Sequence, residues 1–194
     1  MNNITLRKFL KLEYREPRSF LIELRKFELE VSQSKTAYKL RALRTNKLKE
    51  VREMREAAIF CHLMGERIGE TIYLSPGEDQ DHDFVAMYQS KEGNTFTKVQ
   101  LKELAPTDIA ASSTIEEIIA SLEKYKDAEN LCVAIHLNRE LTFAPSSLKI
   151  PKLKIGSLWV FGAIKTDQSE WGLWGDFLST SNYGTKHNYP DGTT

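Results

Sequence analysis

The chain predicts a mixed α/β domain of the α+β kind, with a mixed sheet and a helical N-terminal extension. Three observations carry that prediction. Helical periodicity dominates the first third of the sequence. Three short runs rich in β-branched and aromatic residues then follow one another closely. A capped helix separates that cluster from further strongly apolar strand segments, so helices and strands are interleaved in one chain.

The elements follow in order. Residues 17–31 (PRSFLIELRKFELEV) read as an amphipathic helix, and Pro17 suits a first turn, where no amide partner is lost. From about Ser34 to Gly65 helical character continues without an internal proline or glycine, and Gly65 or Gly69 ends it. Its last part, AAIFCHLM at 57–64, is apolar nearly all round and so belongs in the interior. A short strand at about 68–74 and a loop, SPGEDQ, lead into a hairpin formed by 84–88 and 96–101. Pro106 and Thr107 break the sheet. Thr114 caps a helix through about Lys126, with Glu117 completing a capping box. LCVAIHLN at 131–138, SLWVFGAI at 157–164 and WGLWGDFL at 171–178 read as the remaining strands, the last of them closing the sheet. The tail, 179–194, is polar and turn-rich and reads as flexible. The domain reading is therefore a helical extension at 1–46, a core at 47–178 and a loose tail at 179–194.

Composition narrows the function classes. With 194 residues and 41% hydrophobic content the chain can bury one core, and no apolar run is long enough to span a membrane. The N-terminus lacks the apolar stretch of a signal peptide. Cys61 and Cys132 sit inside apolar runs, which suits buried thiols better than a disulfide. The chain reads as cytoplasmic. Net charge is zero, yet residues 1–56 hold fifteen Lys/Arg against eight Asp/Glu. Lys35, Lys39, Arg41, Arg44, Lys47 and Lys49 follow one another without an acidic residue, a pattern that suits a nucleic-acid backbone. The same residues spread around the helical wheel, which a solvated helix also explains.

The chemistry concentrates in DHDFVAMYQSKEGNTFTKVQLKEL at 81–104. A two-residue turn at Gly93-Asn94 would pair Val85 with Lys102 and Met87 with Gln100. Alternation then puts Asp83, Val85, Met87, Gln100 and Lys102 on one face. A carboxylate, a second oxygen ligand and a lysine on one strand pair suit a metal-dependent phosphodiesterase. A plain hairpin whose polar residues face water stays open as the alternative. Glu53, Glu56 and Glu66 on the long helix are candidates for a further ligand. The helical wheel turns Glu56 into the inward arc beside Phe60 and Leu63, with Glu53 second. Pairing of such a glutamate with Arg52 or Arg67 explains it equally well.

The order helix, three strands, helix, strand, together with Asp83 and Gln100-Leu101-Lys102, resembles the PD-(D/E)XK nuclease superfamily over residues 47–138. The stretches VQLKEL, VAIHLNR and GSLWVFGAI are also similar to an uncharacterised bacterial family named for an inferred endonuclease activity. The resemblance implies a restriction-endonuclease-like core, DNA as substrate, and Mg²⁺ or Mn²⁺ as cofactor. It implies metal ligation by Asp83, Gln100 and Glu56, with Lys102 orienting or activating water. Two departures stand out: His82 precedes the aspartate where proline is common, and Gln100 replaces the commoner glutamate, which removes one charge from the site. The resemblance is also compatible with a catalytically silent nucleic-acid-binding or protein-interaction module, or with a homodimer formed through the long helices.

Other residues have plainer explanations. His136, on a buried-looking strand, reads as a core histidine. Trp159, Trp171 and Trp174 alternate with Gly, Leu and Val and suit a core or an interface. Asp176 is a spare ligand candidate, and Lys149, Lys152 and Lys154 flank Pro151 in a loop. The sequence holds no Gly-rich phosphate loop, serine-nucleophile elbow or dinucleotide fingerprint.

Overall fold

The computed structural model describes residues 3–32, 49–77, 82–110, 113–180 and 183–191. In chain order they form helices α1 (Asn3–Phe9), α2 (Pro17–Ser32) and α3 (Lys49–Ile68), then strands β1 (Ile72–Pro76), β2 (Phe84–Ser90) and β3 (Gly93–Leu104). Helix α4 (Ile115–Ser121) follows, and strands β4 (Ala128–Leu137), β5 (Ile155–Ala163), β6 (Glu170–Gly175) and β7 (Tyr183–Asn188) complete the chain. The seven strands make one mixed sheet in sequence order. β1, β2 and β3 form an antiparallel meander, β3, β4 and β5 run parallel, and β6 and β7 return antiparallel. The interleaved order read from the sequence is present as α3–β1–β2–β3–α4–β4.

Parallel neighbours need a connection that crosses the sheet. Between β3 and β4 that connection is α4, started by the capping box that Thr114 and Glu117 make. Between β4 and β5 it is an irregular segment with a single 3-10 turn at Pro145–Ser147. Its Phe143, Leu148, Ile150 and Leu153 pack on the same core as α4. The two faces of the sheet thus have different covers. α3 lies over the first, where Ala57–Leu63 meet Leu74, Phe84, Val99, Leu101, Ala134 and Phe161. α4 and the irregular crossover lie over the second, against Leu104, Val133, Ile135, Leu158 and Val160. α1 reaches the second face at its other end, where Phe9 packs on Val85 and Phe96.

Two expectations change. The segment read as a separate extension is built into the domain as far as it is described: Leu21 of α2 is fully buried under the first face, and Arg15 bridges to Leu74 of β1. Residues 33–48 lie outside the described residues. Of the two glycines expected to end the long helix, Gly69 does so: the helix passes through Gly65 and stops at Ile68. The tail is not loose: Tyr183–Asn188 pair along the whole of β6. Its polar residues hid two anchors. Gly184 lies flat under Trp174, where a Cβ would fall 2.4 Å from the indole, and the buried Tyr189 hydroxyl donates to Leu21 O at 3.1 Å.

Trp171 joins these parts. It is buried in the first-face core, donates its indole N–H to Gln168 O at 2.9 Å, and stacks near Phe161 and His136. Trp171→Ala should lower the unfolding free energy by about 3–5 kcal/mol in urea denaturation. A loss below ~1 kcal/mol would show that the indole is not packed as described.

Candidate functional site

The hairpin register differs from the expected one. Ser90 pairs with Gly93, so the turn is Lys91-Glu92 and not Gly93-Asn94. The Ser90 hydroxyl accepts from Glu92 N–H at 3.2 Å and donates to Gly93 O at 3.2 Å. Gly93 follows with φ 122°, a conformation that favours glycine. Val85 therefore faces Lys98 and Met87 faces Phe96, where Lys102 and Gln100 were expected. The reason is packing. This register gathers Val85, Met87 and Phe96 over Phe9. The difference is four residues along β3, an even number, so the same side chains still share a face.

β2 and β3 part after the pair Phe84–Val99, while β3 continues to Leu104 beside β4. Asp83 stands in the fork. Its N–H donates to Val99 O at 2.9 Å, and its carboxylate accepts from Leu101 N–H at 2.6 Å and from the Gln100 side-chain amide. Leu101 N–H, which lost its strand partner where the chains diverge, thus regains one from a charged acceptor. Lys102 extends from the same face as Gln100 and is half-buried. Burial lowers its pKa first, the neighbouring Lys124 lowers it further, and the Asp83 carboxylate opposes both. Lys124 arrives on a 3-10 turn, Leu122–Lys124, that follows α4 directly. Tyr125 comes with it, its phenol raised by burial and then by the Asp83 charge. The second face of the fork therefore holds one carboxylate, one amide, two ammonium groups and a phenol.

On the other side of the fork lies a hollow of about 480 Å³, lined among others by Glu50, Glu53, Met54, His82, Asp83 and Leu101. Glu53 shares this space with Asp83 and pairs with Lys49 at 3.4 Å. Glu56 is not there. It is buried, as the helical wheel expects, but it lies under α3 on the sheet face opposite Gln100 and Lys102. Its Oε1 is 3.4 Å from His136 Nδ1. Glu66 lines a separate hollow with Glu16 and His62. Arg67 turns to the carbonyls of Tyr183 and Gly175 and so does not serve as the partner of Glu56.

Glu56, Glu103 and His136 can hold a metal ion, since one ligand atom from each lies within 4.8 Å of the others. Glu103 and His136 face each other across the parallel β3–β4 pair. Glu103 was missed from sequence, although alternation with Val99 and Leu101 marks it as facing α3. Lys124 and Tyr125 were missed because nothing local signals where a 3-10 turn will aim its side chains.

The remaining candidates have structural settings. Lys35, Lys39, Arg41, Arg44 and Lys47 lie outside the described residues, and Lys49 is exposed. Asp176 accepts from Leu158 N–H at 2.9 Å and Leu178 N–H at 3.0 Å, so it fastens the end of β6 to β5. Lys154 reaches Asp127 at 3.7 Å on the surface. Cys61 and Cys132 are free and buried, and burial pushes the Cys132 thiol up to about 12. Among the described residues, no helix is long and apolar enough to cross a membrane.

Comparison with protein-family models, with curated proteins and with solved structures gives no match.

The electrostatics of Lys102 can be separated by substitution. Lys124→Gln removes a like charge and should raise the Lys102 pKa, whereas Asp83→Asn removes the opposing carboxylate and should lower it further. Because the folded Lys102 pKa is depressed, its contribution to stability is present above the unfolded value and falls as pH drops through the folded one. ¹³C NMR of dimethylated lysine reads both shifts, and movement in the same direction in both variants would refute this arrangement.

Proposed function

We propose that the chain is a metal-dependent nuclease that hydrolyses DNA phosphodiester bonds at the β2–β3 fork, on a restriction-endonuclease-like, PD-(D/E)XK core. The observation that carries the reading is the convergence on one side of the fork of the Asp83 carboxylate, the Gln100 amide and the half-buried Lys102. Asp83 and Gln100 offer hard oxygen donors with a single negative charge. That set fits Mg²⁺ or Mn²⁺, which is commonly held by one or two carboxylates together with substrate phosphate oxygens. Glu53, across the hollow, supplies a further carboxylate in place of Glu56. The chemistry such an ion brings is polarisation of a phosphoryl oxygen and acidification of a bound water.

The chain's own groups do the rest. Lys102, with its lowered pKa, gives up a proton more readily than an ordinary lysine, and in its charged form it stabilises developing negative charge. Lys124 places a second positive charge beside it and draws the phosphate to this side of the sheet. Gln100 holds the Asp83 carboxylate in place. The basic run Lys35, Lys39, Arg41, Arg44, Lys47 and Lys49 would add sequence-independent attraction to the DNA backbone. A homodimer of the chain would let both strands be cut in one encounter. Action in a reducing cytoplasm agrees with two buried free thiols.

A second reading has an observation of its own. The Asp83 carboxylate already accepts two N–H groups of its neighbouring strand, which favours a structural clamp in a catalytically silent nucleic-acid-binding module. Plasmid and single-stranded DNA cleavage in Mg²⁺ or Mn²⁺ separates the two. Wild type should cut, and Lys102→Ala should lose roughly 10²–10⁴-fold with its circular dichroism unchanged. Retained cutting in Lys102→Ala removes Lys102 from the mechanism. Salt-sensitive DNA binding by wild type without any cutting selects the silent module.

A further inference from the structure

We propose that Glu56, Glu103 and His136 bind one divalent transition-metal ion of the Zn²⁺ class, at a site separate from the fork and independent of the nuclease reading. The three residues come from α3, β3 and β4, so an ion among them would fasten the helix to the two central parallel strands. Glu56 and His136 are 4% and 3% exposed. Their facing atoms, Oε1 and Nδ1, are 3.4 Å apart, yet neither has a hydrogen-bond partner. Two buried polar atoms left in this state are costly, and an unsatisfied pair aimed at one point calls for a third body between them. For metal bonds of about 2.0–2.1 Å, tetrahedral geometry puts neighbouring ligand atoms about 3.4 Å apart.

The donor chemistry selects the ion. An imidazole beside two carboxylates suits Zn²⁺, Co²⁺ or Mn²⁺ better than Mg²⁺ or Ca²⁺, which prefer all-oxygen sets. A dication also balances two carboxylates with neutral histidine, a combination that burial otherwise penalises. The surroundings hold the ligands in place. His136 stacks on Phe161 at 4.9 Å between centroids and on Trp171 at 5.7 Å, which fixes its ring plane. Asn138 donates to Glu103 Oε1 at 2.7 Å, the kind of outer contact that orients a ligating carboxylate. Glu103 is only partly buried, so the cluster is not sealed from solvent. The rival is a protonated His136 paired with Glu56 and no ion at all.

The test uses the full chain freed of metal with a chelator, then titrated with Zn²⁺ by calorimetry and with Co²⁺ by visible absorption. One ion per chain, Co²⁺ bands of tetrahedral intensity and a melting temperature raised by Zn²⁺ are expected. Glu103→Gln and His136→Gln should each weaken binding by roughly tenfold or more. Asp83→Asn should bind as wild type does. Part-exposed Glu103 keeps the test decisive even if the histidine variant does not fold. Absence of saturable binding in wild type, wild-type affinity in folded Glu103→Gln, or loss of binding in Asp83→Asn would each overturn the proposal, the last by moving the ion to the fork.

Discussion

Alternation along β3, fixed by its parallel pairing with β4, organises everything else in this molecule. Four consecutive residues, Gln100 to Glu103, sit opposite Val133 to His136. Side chains of a strand point to opposite faces in turn, so Gln100 and Lys102 go one way while Leu101 and Glu103 go the other. The pairing is held by deep burial on both sides, from Ala134 and Phe161 under α3 to Val133, Ile135 and Val160 beneath α4. A slip of one residue would exchange the two sets and put Lys102 into the α3 core, a penalty no local contact could offset. One strand therefore separates two polar groups that are close in sequence and chemically unlike. The fork is part-exposed, cationic and oxygen-rich. The cluster under α3 is buried except at Glu103, carries two carboxylates and an imidazole, and lies against aromatic rings.

That separation has an energetic side. Polar atoms at the fork are satisfied by each other and by the backbone, since Asp83 restores the hydrogen bond that β3 loses where β2 leaves it. Under α3 the balance is less complete, because Glu56 and His136 approach without a hydrogen bond. Arg55, next in sequence, is engaged elsewhere, with Glu28 at 2.7 Å and Gln168 at 2.6 Å. Its guanidinium lies over Trp171. The basic residue that α3 buries thus ties the helix to α2 and to the loop before β6.

Much of the fold was legible because the sequence patterns are local. The capping box at Thr114, the apolar runs at 131–138 and 157–164, and the inward arc of the long helix each depend on a few neighbouring residues. The hairpin shows how far such reasoning carries. Gly93 was rightly marked as special, but it follows the turn instead of forming it, and the choice was made by Phe9, more than eighty residues earlier. Because the resulting difference was an even number of residues, the shared face of Asp83, Gln100 and Lys102 survived an incorrect pairing. Glu56 shows the converse. The wheel correctly turned it inward, yet inward from α3 leads to the face of His136 and not to that of Lys102. Which face a helix covers is a property of topology, and no window of residues contains it. The polar tail became a strand for a similar reason, since its anchors, Trp174 and Leu21, are tertiary partners.

The central claim is that the fork, and not the cluster under α3, is where a hard divalent cation meets the chain. Titration of the labelled protein with Mg²⁺, followed by NMR of the Asp83 carboxyl, the Gln100 side-chain amide and the His136 ring nitrogens, tests it most directly. The account predicts saturable shifts at Asp83 and Gln100 with the His136 signals unmoved, because Mg²⁺ prefers oxygen donors. Unchanged Asp83 and Gln100 signals at saturating Mg²⁺, or shifts confined to His136, would contradict it.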